Sequence, residues 1–188
     1  NNVIIGCTRG VRLSGVLGTV ANSRIFNNTI LNGSGRQDGI YITAGVAGVQ
    51  IYNNIFYGSS PFLRYYTTSN YSYSGNNLFY NPSSLVWNLN YTTNYTTLGA
   101  WQTATGLDAN SRVADPLFLN GIGVNPDDYR FSNGSPAKGA GRNGEDLGAY
   151  TDSSMIIGYR PTNSGSTSTP DTTPPSTPTN LTATPASS

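Results

Sequence analysis

Short runs of alternating apolar and polar residues recur along the first half of the chain, and each leads into a pair of asparagines. Ser23-Arg24-Ile25-Phe26 runs into Asn27-Asn28-Thr29-Ile30, and Val49-Gln50-Ile51-Tyr52 into Asn53-Asn54-Ile55-Phe56. Asn1-Asn2-Val3-Ile4 and Asn76-Asn77-Leu78-Phe79 complete the set, with spacings of 26, 26 and 23 residues. Further alternating stretches, Gly10-Val11-Arg12-Leu13 and Gly39-Ile40-Tyr41-Ile42, come after the first two pairs. Alternation over so few residues predicts two or three short strands per repeat, separated by turns.

A period of ~20 to 26 residues built from such short strands is too short for a propeller blade and lacks the leucine pattern of a leucine-rich repeat; it fits one rung of a β-solenoid. The asparagines suit that geometry. A corner between strands needs a residue that tolerates the left-handed region, and Asn does so better than any residue except Gly. Rungs stacked ~4.8 Å apart also let like amides hydrogen-bond along the axis. Asn2, Asn28, Asn54 and Asn77 are therefore read as a structural asparagine ladder, not as ligands or catalysts.

From Asn81 to about Tyr95 the period fades, which predicts that the solenoid ends there. Leu98 to Ala104 reads as a short capping helix, with Thr97 as N-cap and Trp101 facing the core. From this helix onward runs a string of motifs: Trp101-Gln102, Gly106-Leu107-Asp108-Ala109-Asn110-Ser111, Asp115-Pro116-Leu117-Phe118, Asp128-Tyr129-Arg130-Phe131, Gly134-Ser135-Pro136-Ala137, Gly141, and Asp146-Leu147-Gly148-Ala149-Tyr150. With the repeats, this string resembles the closing segment of right-handed parallel β-helix proteins of the pectate-lyase-like superfamily. The resemblance covers roughly residues 1–150. It implies an all-β, right-handed parallel β-helix, but no one reaction, because the superfamily holds polysaccharide lyases, glycoside hydrolases, epimerases, tailspikes and adhesins.

Composition agrees with strands and turns: Asn, Thr, Ser, Gly and Tyr abound, and several of these are poor in helix interiors. Charged residues are only 10% of the 188, with a net charge of +1, so no basic footprint for a nucleic acid is present. The chain has no histidine, which excludes a Ser-His-Asp triad, a Cys-His pair and His-ligated zinc within it. Cys7 is the sole cysteine and is expected to be a small buried side chain. No run approaches the ~20 apolar residues of a membrane span. The start, Asn1-Asn2-Val3-Ile4, carries neither a Met nor a signal pattern and reads as a cut end.

The sequence divides into residues 1–150, the C-terminal rungs and closing segment of the solenoid; 151–170, a linker; and 171–188, a continued linker and first strand. Pro161 to Pro170 is too poor in apolar residues to order itself. Asp171 to Ala183 is similar to the linker and first strand that open a fibronectin type III module.

Ionisable groups suited to chemistry are few. The resemblance implies Lys or Arg bases with carboxylate-held Ca²⁺ in lyases, or clustered Asp in hydrolases. Lys138, the only lysine, reads as a surface residue; Asp127, Asp128 and Asp146 read as turn or capping residues. No Asp-x-Asp-x-Asp run offers a dedicated Ca²⁺ loop, so no cofactor is evident and Ca²⁺ is without support. Arg36 and Asp38 sit at a loop-to-strand junction and are substrate-binding candidates, with a local ion pair in a turn as the competing reading. Tyr41, Tyr52 and Tyr65, in a cluster with Tyr57, Tyr66, Tyr71 and Tyr73, could stack on sugars or pack as core or surface ladders. Six N-glycosylation acceptor patterns occur, at Asn27, Asn32, Asn70, Asn90, Asn94 and Asn180.

Two functions from different classes are compatible with these residues. In the first, the chain is the C-terminal part of a secreted protein that acts on or binds extracellular polysaccharide, polysaccharide lyase-like, with its catalytic rungs upstream. In the second it is a non-catalytic extracellular solenoid, an adhesin or filament subunit, able to self-associate through an open rung edge or the C-terminal tail.

Overall fold

The computed structural model describes residues 1–16, 18–31, 38–121, 123, 125–152 and 154–157. The linker from 158 onward and the fibronectin-like stretch 171–188 lie outside the described residues, as do Arg36, Asn32 and Asn180.

The chain winds as a parallel β-solenoid of about three turns. The first turn carries β1 (Asn2–Ile5), β2 (Arg9–Leu13), β3 (Val20–Ala21) and β4 (Arg24–Phe26); the second β5 (Asn28–Leu31), β6 (Asp38–Ile42), β7 (Val46–Ala47) and β8 (Val49–Tyr52). The third carries β9 (Ile55–Tyr57), β10 (Leu63–Tyr65) and β11 (Tyr71–Gly75), and a further rung opens with β12 (Leu78–Tyr80) and β13 (Trp87–Leu89). An antiparallel strand β14 (Thr93–Tyr95), a helix α1 (Leu98–Thr105) and a short strand β15 (Arg112–Val113) close the winding. The first sheet runs β1-β5-β9-β12-β15, the second β14-β13-β10-β6-β2, and the third β11-β8-β4, with β3 pairing β7.

The asparagine pairs divide their labour. The first member of each inner pair makes the corner: Asn27, Asn53 and Asn76 have φ of 53°, 56° and 53°. The second forms the ladder. Asn2 Nδ2 donates to Asn28 Oδ1 at 2.9 Å, Asn28 Nδ2 to Asn54 Oδ1 at 3.0 Å, and Asn54 Nδ2 to Asn77 Oδ1 at 3.2 Å. The oxygens of Asn54 and Asn77 also accept the backbone N–H of the ladder asparagine before them, at 3.1 and 3.0 Å. The ladder's direction is thus uniform, and it ends on a carboxylate: Asn77 Nδ2 donates to Asp108 Oδ1 at 3.1 Å. Asp108 is fully buried and also accepts from Ser74 Oγ, Ser111 Oγ and Trp101 Nε1, at 3.0, 2.8 and 2.9 Å. Burial pushes its carboxyl above the ordinary value, and these four hydrogen bonds pull it back.

Side chains stack in the same register. Ile30, Phe56 and Phe79 form one inward row of the first sheet, with the two rings stacked at 5.2 Å. Val11, Ile40 and Leu63 form another in the second sheet. Thr97 Oγ1 accepts the Ala100 N–H at 3.2 Å, and Gly106 ends α1 in the left-handed region. Trp101 enters the core from this helix against Tyr65 at 5.2 Å. The helix and its cap are therefore as the sequence predicts.

The winding persists beyond the point where the sequence period fades. Trp87–Leu89 pairs in parallel with β10, Arg64 opposite Asn88, and only β14 breaks the pattern by turning antiparallel. Past its opening corner at Asn76 the rung keeps its register without a sequence repeat, as Trp87 fills the core against Phe62 and Phe79, both at 5.1 Å. Cys7, expected to be buried, is exposed: it lies in the turn between β1 and β2 in the first rung.

The closing segment returns along the outer face of the first sheet. Ala137, Ala140 and Leu147 pack on Ile55 and Leu78, while Tyr129, Ala149 and Tyr150 pack on Leu31. Gly148 N–H donates to the Asn53 carbonyl at 2.8 Å and Ala149 N–H to Thr29 Oγ1 at 3.0 Å. Gly148 has φ 77°, and a Cβ there would stand 2.6 Å from Thr29 Oγ1 and 2.8 Å from Ile55 Cδ1, so the approach requires glycine. The inner strands of the first sheet, β5, β9 and β12, are thus packed on both faces, whereas the closing segment leaves the outer face of the second sheet uncovered.

Replacing Asn54 by Ala strips buried partners from Asn28, Asn77 and the Ile25 and Tyr52 carbonyls. The expected loss is about 3 kcal/mol in denaturant unfolding, against a few tenths for the exposed Asn143→Ala.

Candidate functional site

The outer face of the second sheet carries a polar column one residue out of phase with the core. Arg12, Tyr41, Arg64, Asn88 and Asn94 stand opposite one another on successive strands. Their inward neighbours Ile40, Ile42, Leu63 and Tyr65 are fully buried, so strand alternation alone directs this column outward. Beside it opens a cleft of about 460 Å³, lined by Thr8, Arg9, Asp38, Tyr41, Arg64 and Tyr91.

Asp38 is the electrostatic centre of the cleft. Its Oδ1 accepts from Arg64 Nε at 2.7 Å and its Oδ2 faces Arg9 Nε at 3.3 Å. Asp38 and Arg64 are both buried, and Arg64 is also 3.5 Å from Asn88 Oδ1, which ties the pair to the next rung. Asn88 Nδ2 in turn donates to Asn94 Oδ1 at 2.6 Å. The Arg9 side chain is 42% exposed and covers the Tyr41 ring at 4.8 Å, with Arg12 over the same ring at 5.7 Å. Two guanidiniums thus flank one carboxylate, and a third, that of Arg12, lies over the adjoining ring. The cleft is cationic, with an aromatic wall of Tyr41 and Tyr91 at 5.6 Å. Burial, with the Tyr41 hydroxyl next, raises the Tyr91 phenol well above its ordinary range.

The structure sorts the sequence candidates. Asp38 and Tyr41 are brought together in the cleft, with Asp38 paired to Arg9 and Arg64 of the neighbouring rungs. Tyr52 stands elsewhere, outside the third sheet, stacked on Phe26 at 5.2 Å, with Tyr73 at 6.2 Å and the Arg142 guanidinium at 5.6 Å. Tyr65 is a core residue with no surface exposure, 3.8 Å from the Tyr71 ring, and is out of reach of any ligand. Inward strand phase decides this: Tyr65 lies opposite Ile42. Among the acceptor asparagines, Asn27 and Asn70 are buried, and Asn70 Nδ2 donates to the Val46 carbonyl, so neither can carry a glycan in the folded chain. Asn90 and Asn94 are exposed on the hairpin beside the cleft. Asp127 pairs with Arg130, Asp128 Oδ2 accepts the Asn125 N–H, and Asp146 Oδ1 accepts the Gly139 N–H, the turn and capping roles expected of them.

Sequence reasoning missed Arg9, Arg12, Arg64, Asn88 and Tyr91. Part of their signal was positional: Arg9 lies 29 residues before Asp38, and Arg12, Tyr41 and Arg64 are 29 and 23 apart, close to the repeat, so a rung alignment would have stacked Arg9 on Asp38 and set Arg12, Tyr41 and Arg64 in a second row. A second hollow, of about 350 Å³, lies in the closing segment among Arg130, Lys138, Asp146, Tyr150 and Asp152. Its charges are mixed, and Arg130 is already held by Asp127 at 2.7 Å. Among the described residues no group of three or more His, Cys, Asp or Glu converges as a metal site, and no helix is long and apolar enough to cross a membrane.

The Arg64→Ala variant should lose about 3–5 kcal/mol of stability, since it leaves Asp38 buried beside the half-exposed Arg9 alone. Adding Asp38→Asn should restore part of that loss in the same unfolding measurement; strictly additive losses would mean that the pair is not coupled.

No family model, curated protein or solved structure matches this chain.

Proposed function

We propose that this solenoid binds an extracellular polysaccharide of acidic character along the outer face of its second sheet. The observation that carries the reading is the cleft's composition: the half-exposed Arg9 beside an aromatic wall, with the exposed Arg12 over the same Tyr41 ring, on a face that the closing segment leaves uncovered. Sugar carboxylates suit arginine forks, and tyrosine rings suit pyranose faces. The resemblance to the pectate-lyase-like superfamily supports the same ligand class and a secreted setting, and the fibronectin type III-like stretch is in keeping with a modular extracellular protein.

Within the cleft the chemistry favours holding a polymer over cutting it. Hydrolysis by general acid and base uses two carboxyl groups, and the lining supplies one, Asp38, engaged by two arginines. Lyase-like catalysis, as the resemblance implies it, sets carboxylate-held Ca²⁺ beside its Lys or Arg base, and with the lining's one carboxylate held by Arg9 and Arg64 it would draw on residues outside this cleft. The non-catalytic reading, a solenoid that adheres to a matrix, rests on that same single carboxylate.

Calorimetric titration with polygalacturonate, alginate and neutral dextran tests the proposal. Binding should favour the acidic polymers and weaken between about 50 and 300 mM salt, conditions chosen to span a Debye length of roughly 14 to 6 Å. The Arg9→Ala variant should bind about five- to tenfold more weakly, the loss of one charge-assisted contact of about 1–1.4 kcal/mol. Equal affinity for dextran, or an Arg9→Ala variant indistinguishable from the wild type, would sink it.

A further inference from the structure

The hairpin that ends the second sheet places a tyrosine where its backbone is disfavoured. Between β13 and β14 the chain reverses over Leu89-Asn90-Tyr91-Thr92, with the Thr92 N–H donating to the Leu89 carbonyl at 3.3 Å. Both central residues are left-handed, with φ of 55° at Asn90 and 59° at Tyr91. A turn of this kind selects Asn first and Gly second. Asn90 meets that demand. Tyr91 does not, because its Cβ crowds the following carbonyl oxygen, and a bulky residue in this region is an outlier. The turn itself has no use for an aromatic ring, and glycine would close it without strain. Strain of this sort persists where the surroundings hold it, and it collects at ligand sites.

What holds Tyr91 is the cleft. Its hydroxyl donates to the Ile42 carbonyl at 3.2 Å, and its ring leans against Tyr41 at 5.6 Å and Tyr66 at 5.7 Å. These rings are not equivalent. Tyr41 already lies under Arg9 and Arg12, and Tyr66 is outside the cleft lining. Tyr91 lines the cleft, and among the described residues no guanidinium covers its ring. It is also the lining residue that the fold keeps against its own turn preference.

We propose that Tyr91 is the specificity-determining residue of the cleft: its ring stacks on a pyranose face while Arg9 takes the anionic substituent. The cleft thereby distinguishes an acidic sugar polymer from a polyanion that has no sugar ring. The inference rests on the polysaccharide-binding reading, and a ringless polyanion separates the two.

The test titrates wild type, Tyr91→Gly, Tyr91→Phe and Arg9→Ala with hexagalacturonate, an alginate hexamer and poly-glutamate of matched charge. Wild type should prefer the better of the two sugar acids over poly-glutamate by at least tenfold. Tyr91→Gly should lose about tenfold on the sugar acid and nothing on poly-glutamate, with a melting temperature no lower than wild type. Tyr91→Phe should stay within about twofold, and Arg9→Ala should weaken both ligands. In the unmodified protein, proton NMR should show the bound sugar's ring C–H resonances moved upfield with transfer to the Tyr91 ring, a readout independent of how any variant folds. Full sugar affinity in Tyr91→Gly, equal losses on both ligands, or no transfer to Tyr91 would overturn the inference while leaving the cleft's polysaccharide role intact. Wild type that binds neither sugar acid would overturn the polysaccharide reading itself.

Discussion

A directional column of side-chain amides is the constraint on which the rest of this molecule depends. Each inner asparagine of the ladder donates toward the C-terminal rung and accepts from the N-terminal one. A one-residue slip of any rung would leave several buried polar groups unpaired, each at a cost of about 1–3 kcal/mol, so the ladder fixes register more firmly than apolar packing could. Because register is fixed, every other column is fixed with it: the Ile30, Phe56, Phe79 row inside, and the Arg12, Tyr41, Arg64, Asn88 row outside.

A column of donors needs an end that only accepts, and Asp108 supplies it. A carboxylate can receive Asn77, Ser74, Ser111 and Trp101 together, where a further asparagine would set its own N–H groups against one of them. The same residue thereby anchors α1 through Trp101, linking the end of the ladder to the element that covers the core. From there the closing segment runs back over the first sheet, and its glycine at position 148 allows the closest approach. With the inner strands of the first sheet covered on both sides, the outer face of the second remains uncovered.

In the cleft the logic shifts from packing to charge. Asp38 and Arg64 are buried together, an arrangement that contributes little net stability but fixes where both groups lie. Arg9, only half covered, stays partly at the surface. The cost of the strained Tyr91 is borne by this same region, in line with the tendency of functional sites to depart from what local sequence preference would choose.

The sequence by itself determined the solenoid, the positions of the ladder, the short helix with its Thr97 cap, and the turn roles of Asp127, Asp128 and Asp146. These are local or periodic properties: a repeat near 26 residues and a strand alternation of two can be read without knowing what packs on what. It also pointed to Asp38 and Tyr41. Only the tertiary structure decided that Asp38 pairs with Arg9 and Arg64, that Tyr65 turns into the core while Tyr41 turns out, and that Tyr91 joins the cleft from a different rung. The reason is that a solenoid brings together residues separated by one winding, and loops of unequal length shift that separation from 29 residues in one place to 23 in another. The periodic signal survives such shifts, whereas the identity of each cross-rung neighbour does not.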